Sequence, residues 1–374
     1  MKIKTITCQH VYNYGATLQA FALQSYLETC KHQVEIIDYR RPGHTRYELF
    51  APIYEDCKAA RLIKKYPFFY YILTPLRNAR QFKMWGRKYA FDRFDCNYLH
   101  LTHQTYHSIE DLQSASIEAD ILIAGSDQIW NTDMGNGTDR CYYLDFGSTN
   151  VKRISYAASF GISRLPETKV AFVKEQLQRF DAISVREKSG VNILYEQLGL
   201  KGIHVNDPVF LLSREEWINH LRLSDEHKNF IFIYDFTHND PRVSSLALQL
   251  AKKKNMKIVA VNDAEKTPYA DIQVNNAGPK EFLQYLLSAS YVISTSFHAT
   301  AFALIFQKKF ATFPLIGQRN PSRITNLLDN VGLINHFAPD NDKLFDLDIE
   351  WGRVTSQLNI MIDNSKKYLL ETIK

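Results

Sequence analysis

Five short stretches set polar or charged residues directly behind apolar runs, the position at which side chains of a parallel sheet meet a ligand. Gly125-Ser126-Asp127-Gln128-Ile129-Trp130-Asn131 follows the run Ile121–Ala124. A carboxylate, two amides, a hydroxyl and an indole together suit sugar hydroxyls and a sugar ring face. The plain structural reading of Asp127 is a helix cap. Ser184-Val185-Arg186-Glu187 ends another apolar strand. A guanidinium there can grip a carboxylate or phosphate in bidentate fashion, or serve a structural salt bridge with Glu187 or Asp207. In Ser294-Thr295-Ser296-Phe297-His298-Ala299-Thr300-Ala301 a strand delivers two serines and then a histidine at a helix start. His298 can act as acid or base near neutral pH, donate to an anion, or cap the helix between two domains. Ser294 and Ser296 can hold phosphate oxygens beside that helix N-terminus. No G-x-S-x-G elbow accompanies them, so a Ser/His hydrolase is a poor fit.

The other two stretches are weaker alone. Asn13-Tyr14-Gly15 lies between a strand and a helix. Gly15 lets the backbone turn and approach a ligand, and the helix behind it presents N–H groups to an anion. The G-x-G-x-x-G spacing of a dinucleotide site is missing, and an ordinary βα turn accounts for the stretch equally well. In Asn206-Asp207-Pro208 the proline pushes Asp207 to an extended conformation, a rigid turn into whatever follows.

The elements that must position these residues alternate. Strands are expected at Ile3–Thr7, Val34–Asp38, Ile121–Ala124, Ile154–Ala157 and Ala182–Val185. Helices are expected over Ala16–Thr29, over Glu167–Phe180 and from Glu187. A second unit begins near His204, with strands at Phe230–Tyr234, Lys257–Val261, Tyr291–Ser294 and Phe310–Phe313. Its helices are Pro241–Lys254, Lys280–Ser288, His298–Phe306, Ser322–Asn330 and a long terminal one, Trp351–Ile373. The pattern gives an α/β protein of two doubly wound, parallel-sheet halves. Residues 1–203 form the first, 204–345 the second, and 346–374 a terminal helix. Ligands are expected in the cleft between the halves, at strand carboxyl ends.

Composition sets the class. The 374 residues are 45% hydrophobic with a formal charge of +5, enough apolar content for two cores. No apolar run reaches the roughly 20 residues of a membrane-spanning helix. Met1-Lys2-Ile3-Lys4 leads straight into a strand, so no signal peptide is expected. The five cysteines are widely spaced, without a C-x-x-C pair. They indicate a reducing cytoplasm rather than a disulfide framework or zinc site. The charge is uneven: from Lys58 to Arg93 ten basic residues face one acid, Asp92, among nine aromatics. This insertion, near 50–100, suits contact with anionic lipid headgroups. It also suits single-stranded nucleic acid, or two helices with aromatic core faces and solvated basic faces. No nucleic-acid motif accompanies it elsewhere.

Taken together the motifs carry a resemblance. Their order and spacing, with Tyr156-Ala157-Ala158-Ser159-Phe160-Gly161, Ser322-Arg323-Ile324, Leu327-Leu328 and Val331-Gly332-Leu333, resemble the polysaccharide pyruvyl transferase family. The resemblance runs from about residue 3 to residue 335. It implies a GT-B-like fold of two Rossmann-like domains facing a central cleft, with acceptor in the first and donor in the second. It implies transfer of the pyruvyl group of phosphoenolpyruvate onto two hydroxyls of a sugar, often 4 and 6, closing a ketal and releasing phosphate. The acceptor is expected to be a polysaccharide repeat unit or its lipid-linked precursor, for capsule, exopolysaccharide or cell-wall polymer. Arg186 matches the family's donor-binding arginine and His298 its second-domain histidine, assigned to phosphate contact or proton delivery. Asp127 is the first choice for the hydroxyl proton and Asp207 the second.

Asn13, Tyr14, Gly15, Ser126, Gln128, Trp130, Asn131, Ser294 and Ser296 are expected to line the substrates. Some family members carry arginine where this chain has Ser296. Arg319 and Arg323 are the nearest cations to take over that charge, and a changed donor is the other consequence. The chemistry requires no metal or redox cofactor, and no ligand spacing in the sequence demands one. The expected location is cytoplasmic, with a peripheral patch on the inner membrane face. Two readings of other classes compete: a GT-B glycosyltransferase using a nucleotide sugar, and a carbohydrate- or lipid-binding module without chemistry.

Overall fold

A computed structural model of the protein describes residues 1–41, 62–63, 65–78, 84–263, 265–316 and 322–374. The first half opens with β1 (Lys2–Ile6), α1 (Tyr14–Thr29) and β2 (Gln33–Tyr39). Helices α2 (Tyr70–Asn78) and α3 (Trp85–Tyr98) belong to the basic aromatic insertion. Then come β3 (Leu101–Tyr106), α4 (Ile109–Ser114), β4 (Ile121–Ala124), β5 (Lys152–Ser155) and α5 (Glu167–Leu177). The half ends with β6 (Ser184–Val185), α6 (Lys188–Asn192) and β7 (Ile203–His204). The strands are parallel, in the order β3-β2-β1-β4-β5. Ser155 N donates to Ala182 O at 3.0 Å, which hands β5 on to the β6-β7 pair.

The second half repeats the plan. After α7 (Arg214–Leu221) it runs β8 (Phe230–Tyr234), α8 (Pro241–Lys254), β9 (Lys257–Val261), β10 (Ile272–Val274) and α9 (Pro279–Ser288). Next are β11 (Tyr291–Ser294), α10 (Phe297–Ile305), β12 (Lys309–Thr312), α11 (Ser322–Asn330) and α12 (Trp351–Thr372). Its sheet order, β10-β9-β8-β11-β12, is the first half's order over again. Both sheets therefore reverse direction at one place, where an open parallel sheet leaves a crevice at its strand carboxyl ends. In the first half that place lies between β1 and β4, with Ile6 opposite Ala124. In the second it lies between β8 and β11, with Tyr234 opposite Ser294. The chain is thus two Rossmann-like α/β halves in a GT-B-like layout.

The central strands form because both faces are covered: Ile121–Ala124 and Phe230–Tyr234 are buried throughout, as continuous apolar runs in parallel sheets require. Helix α1 is buried from Tyr14 to Leu27, for it has the first sheet on one side and the second half on the other. Tyr14 stacks on Phe282 of α9 at 4.2 Å between ring centroids and on Phe91 of α3 at 5.3 Å. One apolar cluster runs through α1, the turn Pro208–Leu211, α9 and α10, so the two halves share a core.

Helix α3 is a strut between them. It buries Arg87, Ala90, Phe91, Phe94 and Asp95 and exposes Trp85 and Tyr89. One of the three readings of this segment gave it a solvated basic face, and Arg87 departs from it. Its guanidinium lies 4.3 Å over the Tyr14 ring and donates to Tyr14 Oη, to Tyr12 O at 3.0 Å and to Asn262 O at 3.4 Å. Carbonyls from both halves would otherwise be left without those donors. Lys58, Arg61, Lys64, Arg80, Phe82 and Lys83 lie outside the described residues. The terminal helix α12 crosses back: Tyr368 Oη donates to Ser155 O at 3.1 Å, and Ser365 Oγ accepts from Asn206 N at 2.9 Å.

A shared core predicts joint unfolding. Phe282→Ala should cost about 3–5 kcal/mol, the usual range for a buried phenylalanine. In urea it should shift one transition seen alike by far- and near-ultraviolet circular dichroism. Two separated transitions would show that the halves fold independently.

Candidate functional site

Four of the five stretches bring charged side chains together at the facing strand ends, and the fifth packs against one of them. Arg186 leaves β6 with its backbone N–H bound to Ala158 O at 3.0 Å. Its Nη1 donates to Asp207 Oδ2 at 2.7 Å and its Nη2 to Asp127 Oδ1 at 3.3 Å. His298, the second residue of α10, brings Nε2 to 3.4 Å from the same Asp207 Oδ2. The side chains of Arg186 and Asp207 are 1% and 0% exposed. Buried ions hold only with such partners. Burial alone would raise the Asp207 carboxyl, but His298 and Arg186 outweigh it and hold the group well below the usual carboxylate range. Asp127 is lowered the same way: burial opposes the ionised form, and Arg186, His298 and Arg323 favour it more strongly. Burial works against the Arg186 charge too, yet Asp207, Asp127 and Glu187 raise its pKa above the ordinary value.

Each side chain is placed by its local sequence. Pro208 fixes Asp207 in extended backbone, and Asp207 Oδ1 caps the following turn by accepting from Val209 N at 3.1 Å. The rigid turn and the charged site thus use different oxygens of one carboxylate. Ser126 Oγ adds a 3.3 Å hydrogen bond to Asp207 Oδ2. Asp127 sits at φ +73°, in the left-handed region, three residues after β4. No helix follows it, so it is not a helix cap, and Oδ1 instead accepts from Gln128 N at 2.9 Å. Non-glycine residues in that region are uncommon and cluster at functional sites.

Gly15 serves a close approach, and what approaches is His298 of the other half. A Cβ at Gly15 would lie 1.9 Å from His298 Nδ1. The N–H groups expected to face an anion there are taken, because Asn13 Oδ1 accepts from Gly15 N at 2.9 Å and Ala16 N at 3.3 Å.

Other expected substrate contacts are occupied by the fold. Tyr14 is buried in the shared core, with its Oη donating to Ala277 O at 3.1 Å. Trp130 is fully buried, donates Nε1–H to Tyr142 O at 3.1 Å, and packs on Tyr143 and Phe160. Its indole offers no face to a sugar, because the residue turns under the sheet end into the first core. Gln128 and Asn131 join each other at 2.6 Å. Ser294 Oγ donates to Tyr234 O at 2.7 Å and accepts from Ser296 N at 3.0 Å, and Ser296 Oγ accepts from Ala299 N as N-cap of α10. These hydroxyls satisfy the strand-to-helix turn.

Arg323 of α11 lies 5.9 Å over the Phe297 ring, which also carries Arg186 at 5.3 Å. Burial, with the like charge of Arg186, pushes its pKa down to about 10. Among the described residues Arg323 has no carboxylate within ion-pair distance. It lines a narrow crevice with Arg186, Asp207, Phe297 and Asn326. Arg319 lies outside the described residues.

Three contributors take roles that the sequence did not assign, Glu187 among them, which the sequence offers as a salt-bridge partner of Arg186. Glu187 does not pair with Arg186; its Oε1 accepts from Ser159 Oγ at 3.1 Å, Phe160 N at 2.8 Å and Gly161 N at 3.1 Å. That gives the Ser159-Phe160-Gly161 stretch its role of holding the loop behind Arg186. Phe297 is the platform for two guanidinium groups. Cys8, just beyond β1, sets its Sγ 3.7 Å from Asp127 Oδ2. Only the register of β1 with β4 reveals that last neighbour.

The model of the polysaccharide pyruvyl transferase family matches residues 13–314, most of the chain. The chain belongs to that family. No curated protein matches it. Among solved structures, UDP-GlcNAc 2-epimerase from Neisseria meningitidis bound to UDP-GlcNAc is similar at 10% identity and a TM-score of 0.49, covering 100% of this chain and 99% of that one. A glycosyltransferase from Rickettsia africae is similar at 11% identity and a TM-score of 0.47, covering 100% and 98%.

The charge pair in this pyruvyl transferase family member sets an acid dependence. Arg186→Met leaves Asp207 without its nearest cation and should cost about 3–5 kcal/mol. The folded pKa of Asp207 lies below its unfolded value of about 3.9. Its contribution is therefore complete above that pH and is lost as pH falls through the folded value. Stability of Asp207→Asn, followed by chemical melts from pH 6 to pH 2, should fall less steeply below pH 4 than that of the parent. Equal slopes would mean that Asp207 is not the ionised partner.

Proposed function

We propose that the protein transfers the pyruvyl group of phosphoenolpyruvate to two hydroxyls of a sugar, within polysaccharide repeat-unit synthesis. The observation that carries this reading is the set Arg186, Asp207, His298 and Asp127 at facing strand ends, with Arg323 beside it lacking an ion-pair partner among the described residues, in a chain of this family. The donor bears a carboxylate and a phosphate. Two terminal nitrogens of Arg186 are already engaged by carboxylates, so among the described residues Arg323, the N-terminus of α10 and the Arg186 Nε–H, which has no partner, can receive anionic oxygens.

The steps follow from the chemistry. His298, oriented by Asp207, delivers a proton to the donor methylene, and C2 becomes electron-poor. A sugar hydroxyl adds to C2, giving its proton to Asp127. The C2–O bond to phosphate breaks, and the second hydroxyl closes the ketal. The two hydroxyl protons balance the sum: one, taken up by Asp127, replaces the proton His298 gave to the methyl group, and the other leaves on the phosphate. The sum needs no oxidant, reductant or water.

A lipid-linked acceptor would bring the enzyme to a membrane face. Among the described residues no helix is long and apolar enough to cross one. The insertion exposes Tyr66, Phe68, Tyr71, Ile72, Trp85 and Tyr89, apolar rings on a segment rich in lysine and arginine. That composition suits the headgroup region of anionic lipid.

Two measurements test these readings. Calorimetric titration with phosphoenolpyruvate should show saturable binding, weakened on the order of 10–100-fold in Arg323→Ala, as loss of a charge-assisted hydrogen bond implies. A folded parent that binds UDP-sugars and no phosphoenolpyruvate would replace this reading by nucleotide-sugar transfer. In flotation assays the protein should bind vesicles containing phosphatidylglycerol, less so as salt rises. Equal binding to phosphatidylcholine vesicles in high salt would remove the electrostatic role.

A further inference from the structure

A second concavity opens on the other side of Asp127. It has a volume of about 300 Å³ and lies at the carboxyl ends of β1 and β2, walled by α3. Cys8, which contacts Asp127 Oδ2, forms part of its lining, so it adjoins the charged site. His10, Tyr12, Asp95, Asn136 and Tyr142 also line it. His10 Nε2 is 2.6 Å from Asp38 Oδ1, and His10 Nδ1 is 3.7 Å from Asp95 Oδ2. Asp95 is only 8% exposed, and its Oδ1 has no hydrogen-bond partner among the described residues.

The charges here differ in kind from those around Arg323. Arg40 is paired with Asp38, Lys88 with Asp92, and Arg41 with Asp139. The cations are matched by carboxylates, so the cavity does not attract a phosphate. What it offers is a dense set of hydroxyl, amide, imidazole and carboxyl groups, which suits a neutral ligand rich in hydroxyls. Burial, with Asp92 and Asp38 nearby, pushes the Asp95 carboxyl up to about 8. At neutral pH it therefore mostly carries a proton and can donate as well as accept.

We infer that this cavity holds the hexose unit of the acceptor, with His10, Asp95 and the amide Nδ2 of Asn136, whose Oδ1 accepts from Arg41 Nη1 at 2.8 Å, gripping its hydroxyls and presenting two others past Cys8 to Asp127. The inference rests on the pyruvyl-transfer reading and gives it an acceptor subsite that uses none of the residues expected from sequence. Asp127 then stands between two chambers. One oxygen is 3.3 Å from the Arg186 guanidinium on the donor side, and the other is 3.7 Å from Cys8 Sγ on the acceptor side.

The test uses the full chain and saturation-transfer NMR with the methyl glycosides of galactose, glucose and N-acetylglucosamine, beside calorimetry with phosphoenolpyruvate. At least one glycoside should bind the parent. His10→Gln and Asn136→Leu should each weaken it tenfold or more, with phosphoenolpyruvate affinity unchanged and the far-ultraviolet circular dichroism of the folded parent retained. Asp95→Asn, which keeps a donor and an acceptor in place, should retain most of the binding. Three results would overturn the assignment. A glycoside could bind parent and both variants equally. Phosphoenolpyruvate could compete with it for one site. No glycoside could bind a parent that does bind phosphoenolpyruvate. If phosphoenolpyruvate binding fails while a glycoside still binds in this cavity, the donor reading falls and the sugar site stands.

Discussion

Arg186 and Asp207 meet at 2.7 Å inside the protein, and the placement of every other charged group in the site depends on that contact. Two ions taken out of water cost more than their attraction returns unless their remaining donors and acceptors are also used. Asp207 meets that condition with both oxygens. One caps its own turn through Val209 N, and the other takes Arg186, Ser126 and the approach of His298. Arg186 uses a second nitrogen on Asp127. Four chain segments from two halves thereby share one charge network, and only strand ends brought into register can deliver them together.

The network needs the halves held at one separation, and apolar packing supplies that. Helix α1 has no solvent-facing side over its buried length from Tyr14 to Leu27. Tyr14 stacks between Phe91 and Phe282 while Arg87 ties carbonyls of both halves. A shift of one half against the other would break ring stacking and cation–π contact along with the ion pairs. Gly15 is part of the same arrangement, since the His298 ring occupies the space a side chain there would fill. The residue type at position 15 is thus dictated by the opposite half.

How much of this was legible in the sequence depended on whether a residue's job is local. Central strands such as Phe230–Tyr234 and Ile121–Ala124 are apolar along their whole length, and their bounds follow directly from the pattern. The edge strands Leu101–Tyr106 and Ile272–Val274 went unread, because only one side of an edge is paired and their residues are mostly polar or half exposed. Asp127, Arg186, Asp207 and His298 stood out as charged groups behind strands. Trp130 stood out equally and is core, since polarity at a strand end does not tell which way the chain turns next. Cys8, His10 and Asp95 gave no signal, because their neighbours come from strand register and from the insertion helix packing over the sheet.

Under the proposed pyruvyl transfer, the network around Asp127 would time the reaction. A carboxylate held ionised by Arg186, His298 and Arg323 is a weak base, for their field is what lowers its pKa. An anion entering among the same three groups cancels much of their field at Asp127. The opposing effect, burial, is then left nearly unbalanced, and the carboxyl's affinity for a proton rises. On that proposal, a hydroxyl on the Cys8 side would meet a weaker base with the anion site empty than with it filled. The left-handed backbone at Asp127 fixes the group between both sides, so the change in basicity reaches the hydroxyl without movement of the chain. Arg323 is central to that coupling: among the described residues it has no carboxylate of its own, and an arriving anion gains from its charge without first displacing a protein partner.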